Sequence, residues 1–129
     1  MKADLMVRRR PKNLNLMTIW LPLPALVSIM HRISGALLFL VLPLLLRLWQ
    51  QSLGSPEGYA ATLQQLHQPL ARLLILILTW AFLHHACAGL RHLALDAHWG
   101  LKLPFARASS ASVLVISGLL TLLAAVRLW

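Results

Sequence analysis

The chain has 129 residues, of which 59% are hydrophobic and 12% charged, against about 45–50% apolar and about 25% charged residues in a soluble domain. Its net charge of +9 would suit nucleic acid, but a nucleic-acid-binding surface needs its basic residues on a soluble face, and the long apolar runs argue against one. The single cysteine, Cys87, excludes a disulfide framework and a CxxC metal site. The basic N-terminus lacks the short apolar core and cleavage site of a signal peptide. The length of the chain suits a single domain, 1–129.

Three apolar runs, at about 29–49, 70–93 and 110–129, are long enough to cross a bilayer, which takes about 20 helical residues. Each is predicted to be a helix, because backbone groups find no water in the hydrocarbon. The preceding stretch "NLMTIWLPLPALVS" is apolar but contains Pro22 and Pro24, and it is interpreted as an interfacial segment. The sequence thus predicts an all-α membrane protein with three transmembrane helices preceded by a short interfacial segment.

The connections differ in composition and in charge. Ser, Gly and Pro mark the first half of "QQSLGSPEGYAATLQQLHQ" as a loop, and its second half is interpreted as an outward extension of the second helix. Pro43 predicts a bend in the first helix. Basic residues cluster in the N-terminal tail and near the second connection: Lys2, Arg8, Arg9, Arg10, Lys12, Arg91, Lys102 and Arg107. The positive-inside rule then places the N-terminus and the 96–109 loop in the cytoplasm and the C-terminus on the far side.

Polar residues open the first span. At about 100° per residue, Ser28, Arg32, Gly35 and Phe39 share one narrow stripe, and His31 lies one residue away from it. A hydroxyl and a guanidinium one turn apart suit a carbonyl or carboxylate partner. Alternatively, Arg32 and His31 extend to the lipid headgroups from the end of the span, and the spacing alone leaves both interpretations open.

A second polar stripe, formed by His85, Gly89, His92 and Asp96, lies in the second span. His85 lies about 15 Å below the cytoplasmic end by helical rise, which is too deep to reach the interface. An imidazole at that depth needs a hydrogen-bond partner or a metal, and haem iron is a frequent one. Gly89 would leave room for a flat macrocycle, whereas His84 points about 100° away from the stripe. Alternatively, His85 is a structural histidine bonded to a neighbouring helix. His92 and Asp96 are interpreted as a pair that orients the end of the helix.

The third span offers Ser117, Gly118 and Thr121 as a small-residue face suited to close helix packing. The acidic residues lie in three separate regions: Asp4, Glu57 and Asp96. They cannot form a general acid–base pair within the chain. Any catalysis must therefore use a bound cofactor or another subunit.

Three motifs, in this order along the chain, are similar to those of one known family. They are "RPKNLNLMTI" at 10–19, matching RP-x-N-L-x-L-x-T-I; "SIMHRISG" at 28–35, matching S-x-x-H-R-x-[ST]-G; and "HACAGLRHLALD" at 85–96, matching H-x-x-x-G-x-R-H-x-x-x-D. The loop "SPEGY" at 55–59 is also similar. The chain resembles the cytochrome b556 membrane-anchor subunits of bacterial succinate dehydrogenase, respiratory complex II.

The resemblance implies a subunit of an enzyme, succinate:quinone oxidoreductase, that does not itself bind the dicarboxylate. It implies pairing with a second three-helix anchor subunit that supplies the other ligand to a shared haem b. It further implies docking of an iron–sulfur and a flavoprotein subunit, reduction of ubiquinone or another quinone, and a place in the bacterial inner membrane with the C-terminus periplasmic. The competing hypothesis is a cofactor-free three-helix anchor or assembly protein.

The resemblance also implies roles for individual residues. His85 matches the axial ligand of the haem iron, and Ser28 and Arg32 match quinone-binding residues. His31 and Arg32 match positions in the vicinity of the haem propionates. The chain departs from the family pattern at His84, where an aromatic residue often stands.

Overall fold

The computed structural model describes residues 20–128. They form four helices: α1, Leu23–Gly54; α2, Pro56–Leu66; α3, Pro69–Asp96; and α4, Leu103–Leu128. The helices α1, α3 and α4 are each long and apolar enough to cross a membrane, which confirms the predicted all-α fold with three spans. The helix α3 runs antiparallel to α4, because Ile75 and Thr79 near its start lie beside Leu128 near the end of α4. It is antiparallel to α1 as well.

The start of α1 lies earlier than the sequence predicted. Pro22 is its N-cap and Pro24 lies in its first turn, where a backbone N–H is not needed for the helical ladder and the fixed φ of proline is already helical. The prolines interpreted as breaking an interfacial segment therefore begin the helix, which contains the predicted span 29–49; the position of that span in the membrane stays a prediction. The stretch 13–19, like the motif match at 10–19, lies outside the described residues. α1 continues through Pro43, and a bend there stays a prediction.

The first connection contains a helix of its own. Ser55 caps α2, because its side-chain oxygen accepts a hydrogen bond of 3.0 Å from the backbone amide of Gly58. Hydrogen bonds with its own backbone amide and with the Ser55 hydroxyl hold the pKa of Glu57 below its usual value. Since α2 ends at Leu66 and α3 begins afresh at Pro69, the predicted outward extension of the second helix is wrong.

Little apolar surface is buried within the chain itself. Only 6%, 17% and 11% of the most apolar windows of the three spans are buried, so most hydrophobic side chains face lipid or other proteins. The buried positions of these spans are small or polar instead: Val27, Ser34, Ala81, His84, Ala88, Arg91, Ser110, Val113 and Ser117. Transmembrane helices associate through close packing of small residues and interhelical hydrogen bonds, and this interior follows that pattern.

The small-residue face predicted on α4 is only partly used within the chain. Ser117 is buried, and Thr121 donates a hydrogen bond of 2.7 Å to its carbonyl. A Cβ added at Gly118, however, would meet no atom within 4 Å. Gly118 therefore faces away from the described residues of α1 and α3.

Candidate functional site

The helices α1 and α3 cross where each presents a glycine to a histidine of the other. A Cβ built on Gly35 would lie 2.7 Å from Cε1 of His85, and a Cβ on Gly89 would lie 3.6 Å from Nε2 of His31. The two imidazole rings stack with centroids 4.2 Å apart and planes inclined by 20°. Contact of His85 with residue 35 and of His31 with residue 89 requires the two helices to be antiparallel. The two predicted polar stripes thus meet where Gly35 contacts His85.

Hydrogen bonding defines the tautomer of His85. Its Nδ1 lies 3.1 Å from the backbone carbonyl oxygen of His31 and 3.4 Å from the hydroxyl oxygen of Ser34. A carbonyl oxygen can only accept, so Nδ1 carries the proton and donates. Nε2 then keeps a free lone pair, which is the form in which imidazole binds a metal. His85 is half-buried, so this lone pair is not sealed inside the chain.

His92 completes a group of three imidazoles at this crossing. Its ring centroid lies 5.1 Å from that of His31, with the planes tilted by 37°. Nε2 of His31 is buried and has no hydrogen-bond partner among residues 20–128. In the same range no ion pair joins His92 to the exposed Asp96, so the interpretation of these two residues as a pair is not supported. His92 instead packs beside His31.

The stripe predicted on α1 divides between two faces. Gly35 faces His85, whereas Phe39 is 74% exposed and Arg32 is exposed as well. Ser28 is half-buried and lies one helical turn before Arg32. The hydroxyl and the guanidinium therefore occupy the outer flank of α1, beside the histidine crossing, where a ligand or a partner protein has access.

His84 and His85 are adjacent in sequence but point into different surroundings. The side chain of His84 is fully buried and stacks on Trp80, with ring centroids 5.4 Å apart. Neither ring nitrogen has a hydrogen-bond partner among the described residues. His84 is thus an interior packing residue, and the accessible imidazole is that of His85.

Arg91 joins α3 to α4, a role that the sequence analysis missed. Its Nε donates to the Ser109 hydroxyl at 3.0 Å and its Nη2 to the Ala106 carbonyl at 3.3 Å. The side chain is buried. Ala88 lies four residues after His84, and Arg91 lies three residues after Ala88, which is the period of one buried helix face. This period in the sequence could have predicted that Arg91 is buried. The sequence analysis uses Arg91 only as a basic residue near the second connection.

The histidine crossing fits one side of a haem rather than a bare metal ion. Among residues 20–128, no three His, Cys, Asp or Glu side chains could hold a metal ion together. A haem iron is held largely by its porphyrin, so one accessible imidazole in the correct tautomer is a sufficient contribution from one side. A cavity of about 770 Å³ lies between α3 and α4, lined by residues that include Cys87, Trp99 and Phe105, and it does not include the histidines. The histidines that fit a haem thus lie at the crossing of α1 and α3, outside this cavity.

Known proteins resemble the chain over nearly its whole length. Residues 6–124 match the family described as succinate dehydrogenase/fumarate reductase transmembrane subunit. The chain is 38% identical over 122 residues to the succinate dehydrogenase cytochrome b556 subunit of Coxiella burnetii (strain RSA 493 / Nine Mile phase I), covering 94% of this chain and 98% of that one. It is 33% identical over 121 residues to the subunit of the same name from Paracoccus denitrificans, covering 94% and 93%. The corresponding subunit of Rickettsia typhi (strain ATCC VR-144 / Wilmington) is 30% identical over 116 residues, covering 89% and 90%.

Proposed function

The chain belongs to the succinate dehydrogenase/fumarate reductase transmembrane subunit family, and from this premise we propose that it is the haem b-carrying membrane anchor of a succinate:quinone oxidoreductase. The relatives are named cytochrome b556 subunits, and a cytochrome of that type carries haem b. The observation that carries the proposal is the state of His85. Its Nδ1–H is bonded to the His31 carbonyl, and its Nε2 is left free at a half-buried position.

His85 would bind the haem iron through Nε2, and a second anchor subunit would supply the other ligand. When bound, the haem supplies one-electron redox chemistry. His31 and Arg32 would lie near the propionates, since a guanidinium pairs well with a carboxylate. His31 brings a buried Nε2 without a partner in the described chain, which is free to accept or donate a hydrogen bond there.

Ser28 and Arg32 would form part of the quinone-reduction site. Both lie on the outer flank of α1, one turn apart, so their polar ends can meet the same carbonyl oxygen of ubiquinone or another quinone. The serine hydroxyl would orient that oxygen. The guanidinium, which is always charged and planar, would stabilise the negative charge that develops on it during reduction.

The subunit would hold the catalytic subunits at the membrane and would not bind succinate itself. It is a multi-pass membrane protein by its three apolar helices and its family. The distribution of lysine and arginine supports a cytoplasmic N-terminus and a periplasmic C-terminus in a bacterial inner membrane. The flavoprotein and iron–sulfur subunits would then dock on the cytoplasmic side. Electrons from succinate would pass through them to the quinone.

Reduced-minus-oxidised spectra of the purified complex test the proposal. We expect a b-type band in the wild type and in His84→Ala, and its loss in His85→Ala, because His85 is half-buried with its Nε2 free, whereas both ring nitrogens of His84 are buried. A band that survives in His85→Ala overturns the ligand assignment. Mass spectrometry of co-purifying proteins distinguishes the alternative of a cofactor-free anchor or assembly protein. Complex II subunits in a preparation that never shows a b-type band would favour that alternative.

A further inference from the structure

Ser34 is the buried hydroxyl beside the proposed haem ligand. It is fully buried on the face of α1 that packs against α3. Its Oγ donates the single hydroxyl proton to the carbonyl of His31, 2.9 Å away. The oxygen keeps its lone pairs and lies 3.4 Å from Nδ1 of His85. Towards His85, Ser34 can therefore only accept.

Nδ1 of His85 thus faces two acceptors, the His31 carbonyl at 3.1 Å and the Ser34 hydroxyl oxygen at 3.4 Å. Groups that accept from the remote nitrogen of a ligating histidine fix its tautomer and raise its basicity towards the metal. We infer that Ser34 is a positioning residue for His85, holding the ring orientation and tuning the donor strength of Nε2. This inference rests on the proposed function, because it gives the hydroxyl a role towards the haem through His85.

A purely helix-internal role does not account for the position of Ser34. Other serines of this bundle also bond to a carbonyl three or four residues earlier, among them Ser110, which donates to Ala106 at 2.7 Å. Ser110 is equally buried. What distinguishes Ser34 is its contact with an imidazole 51 residues away in the chain. Ser110 is therefore a matched control on another helix, with the same side chain and burial and a bond to a carbonyl one helical turn earlier.

The experiment compares Ser34→Ala, Ser34→Thr, Ser110→Ala and His85→Ala in the purified complex. Haem content, the reduced-minus-oxidised spectrum and the midpoint potential from redox titration are measured. In Ser34→Ala we expect haem to be retained and its potential to become more positive, because Nδ1 loses an acceptor and a less basic imidazole stabilises ferric iron less. The deletion also removes a competing donor from the His31 carbonyl. This removal strengthens the bond from Nδ1 to the carbonyl and so opposes the shift in potential. The opposing effect is smaller, because the carbonyl still accepts the backbone amide of the next helical turn.

Ser110→Ala should keep the wild-type potential, and Ser34→Thr should restore it by returning the hydroxyl. Selective loss of haem in Ser34→Ala, with haem kept in the other two serine variants, also supports the role. An unchanged potential in Ser34→Ala, or equal effects in Ser34→Ala and Ser110→Ala, overturns the inference while leaving the ligand assignment intact. Retention of haem in His85→Ala overturns that assignment itself, and with it the role of Ser34.

Discussion

His85 lies so close to Gly35 that a methyl group does not fit between them. Cε1 of the imidazole would be 2.7 Å from a Cβ at residue 35, a separation that real Cβ atoms essentially never show. The ring is held there by the hydrogen bond that its Nδ1–H donates to the His31 carbonyl, so it cannot move aside without losing its acceptor. The glycine is thus a steric requirement of the crossing between α1 and α3.

Gly35→Ala should therefore rotate His85 or push the helices apart, and the complex should lose most of its haem. Alanine is favoured over glycine in a helix interior by about 1 kcal/mol, so without the clash the change would be neutral or stabilising. Gly118→Ala is the matched control, since a Cβ there meets nothing within 4 Å. The measurements are haem per complex and the melting temperature of the complex. Full haem content in Gly35→Ala would contradict the packing described here.

The spans and the main candidate residue could be predicted from the sequence because both depend on depth in the membrane. The length of an apolar run defines a span. An imidazole such as that of His85 deep inside a span needs a hydrogen-bond partner or a metal, which makes it a candidate functional residue. The extension of α1 back to Leu23 was not predicted, because Pro22 and Pro24 were interpreted as interrupting this stretch. Proline in a first helical turn is favourable, however.

Contacts between helices were harder to predict. The faces that pack together carry serine, alanine, glycine and histidine, so a search for apolar periodicity does not find them. Which glycine meets which histidine depends on the register of two antiparallel helices, and no spacing within one helix encodes that register. For this reason the sequence alone does not predict the pairing of Gly35 with His85 or the bonds of Arg91 to α4.

His84→Phe should raise the melting temperature of the complex and leave its haem in place. A buried polar group without a partner costs about 1–3 kcal/mol, and both nitrogens of His84 lack one among the described residues. Phenylalanine keeps a ring in the space beside Trp80 and removes the polar atoms. His84→Ala, which removes the ring, should instead lower the melting temperature. If His84→Phe destabilises the complex as much as His84→Ala does, the imidazole has a polar partner in the assembled complex.

Arg91→Leu should destabilise the packing of α4 on α3. The guanidinium donates to the Ser109 hydroxyl and the Ala106 carbonyl, and hydrogen bonds from a charged group are worth about 1.5–3 kcal/mol. We expect a lower melting temperature of the complex, a smaller loss in Ser109→Ala, and little change in the control Arg127→Leu, whose side chain is exposed. Equal melting temperatures for Arg91→Leu and Arg127→Leu would show that the α3–α4 bonds add nothing to stability.

Arg32→Leu should abolish quinone reduction while succinate oxidation with an artificial dye persists. The dye takes electrons before they reach the membrane site, so it reports on the flavoprotein and iron–sulfur subunits alone. Leucine removes the charge that would stabilise the reduced quinone oxygen, and removing one such group typically lowers the rate about 10²–10³-fold. Arg47→Leu, at another exposed arginine of α1, controls for the loss of a cation and should retain both activities. Equal loss of quinone and dye activity in Arg32→Leu would mean that Arg32 serves assembly of the complex instead of the quinone.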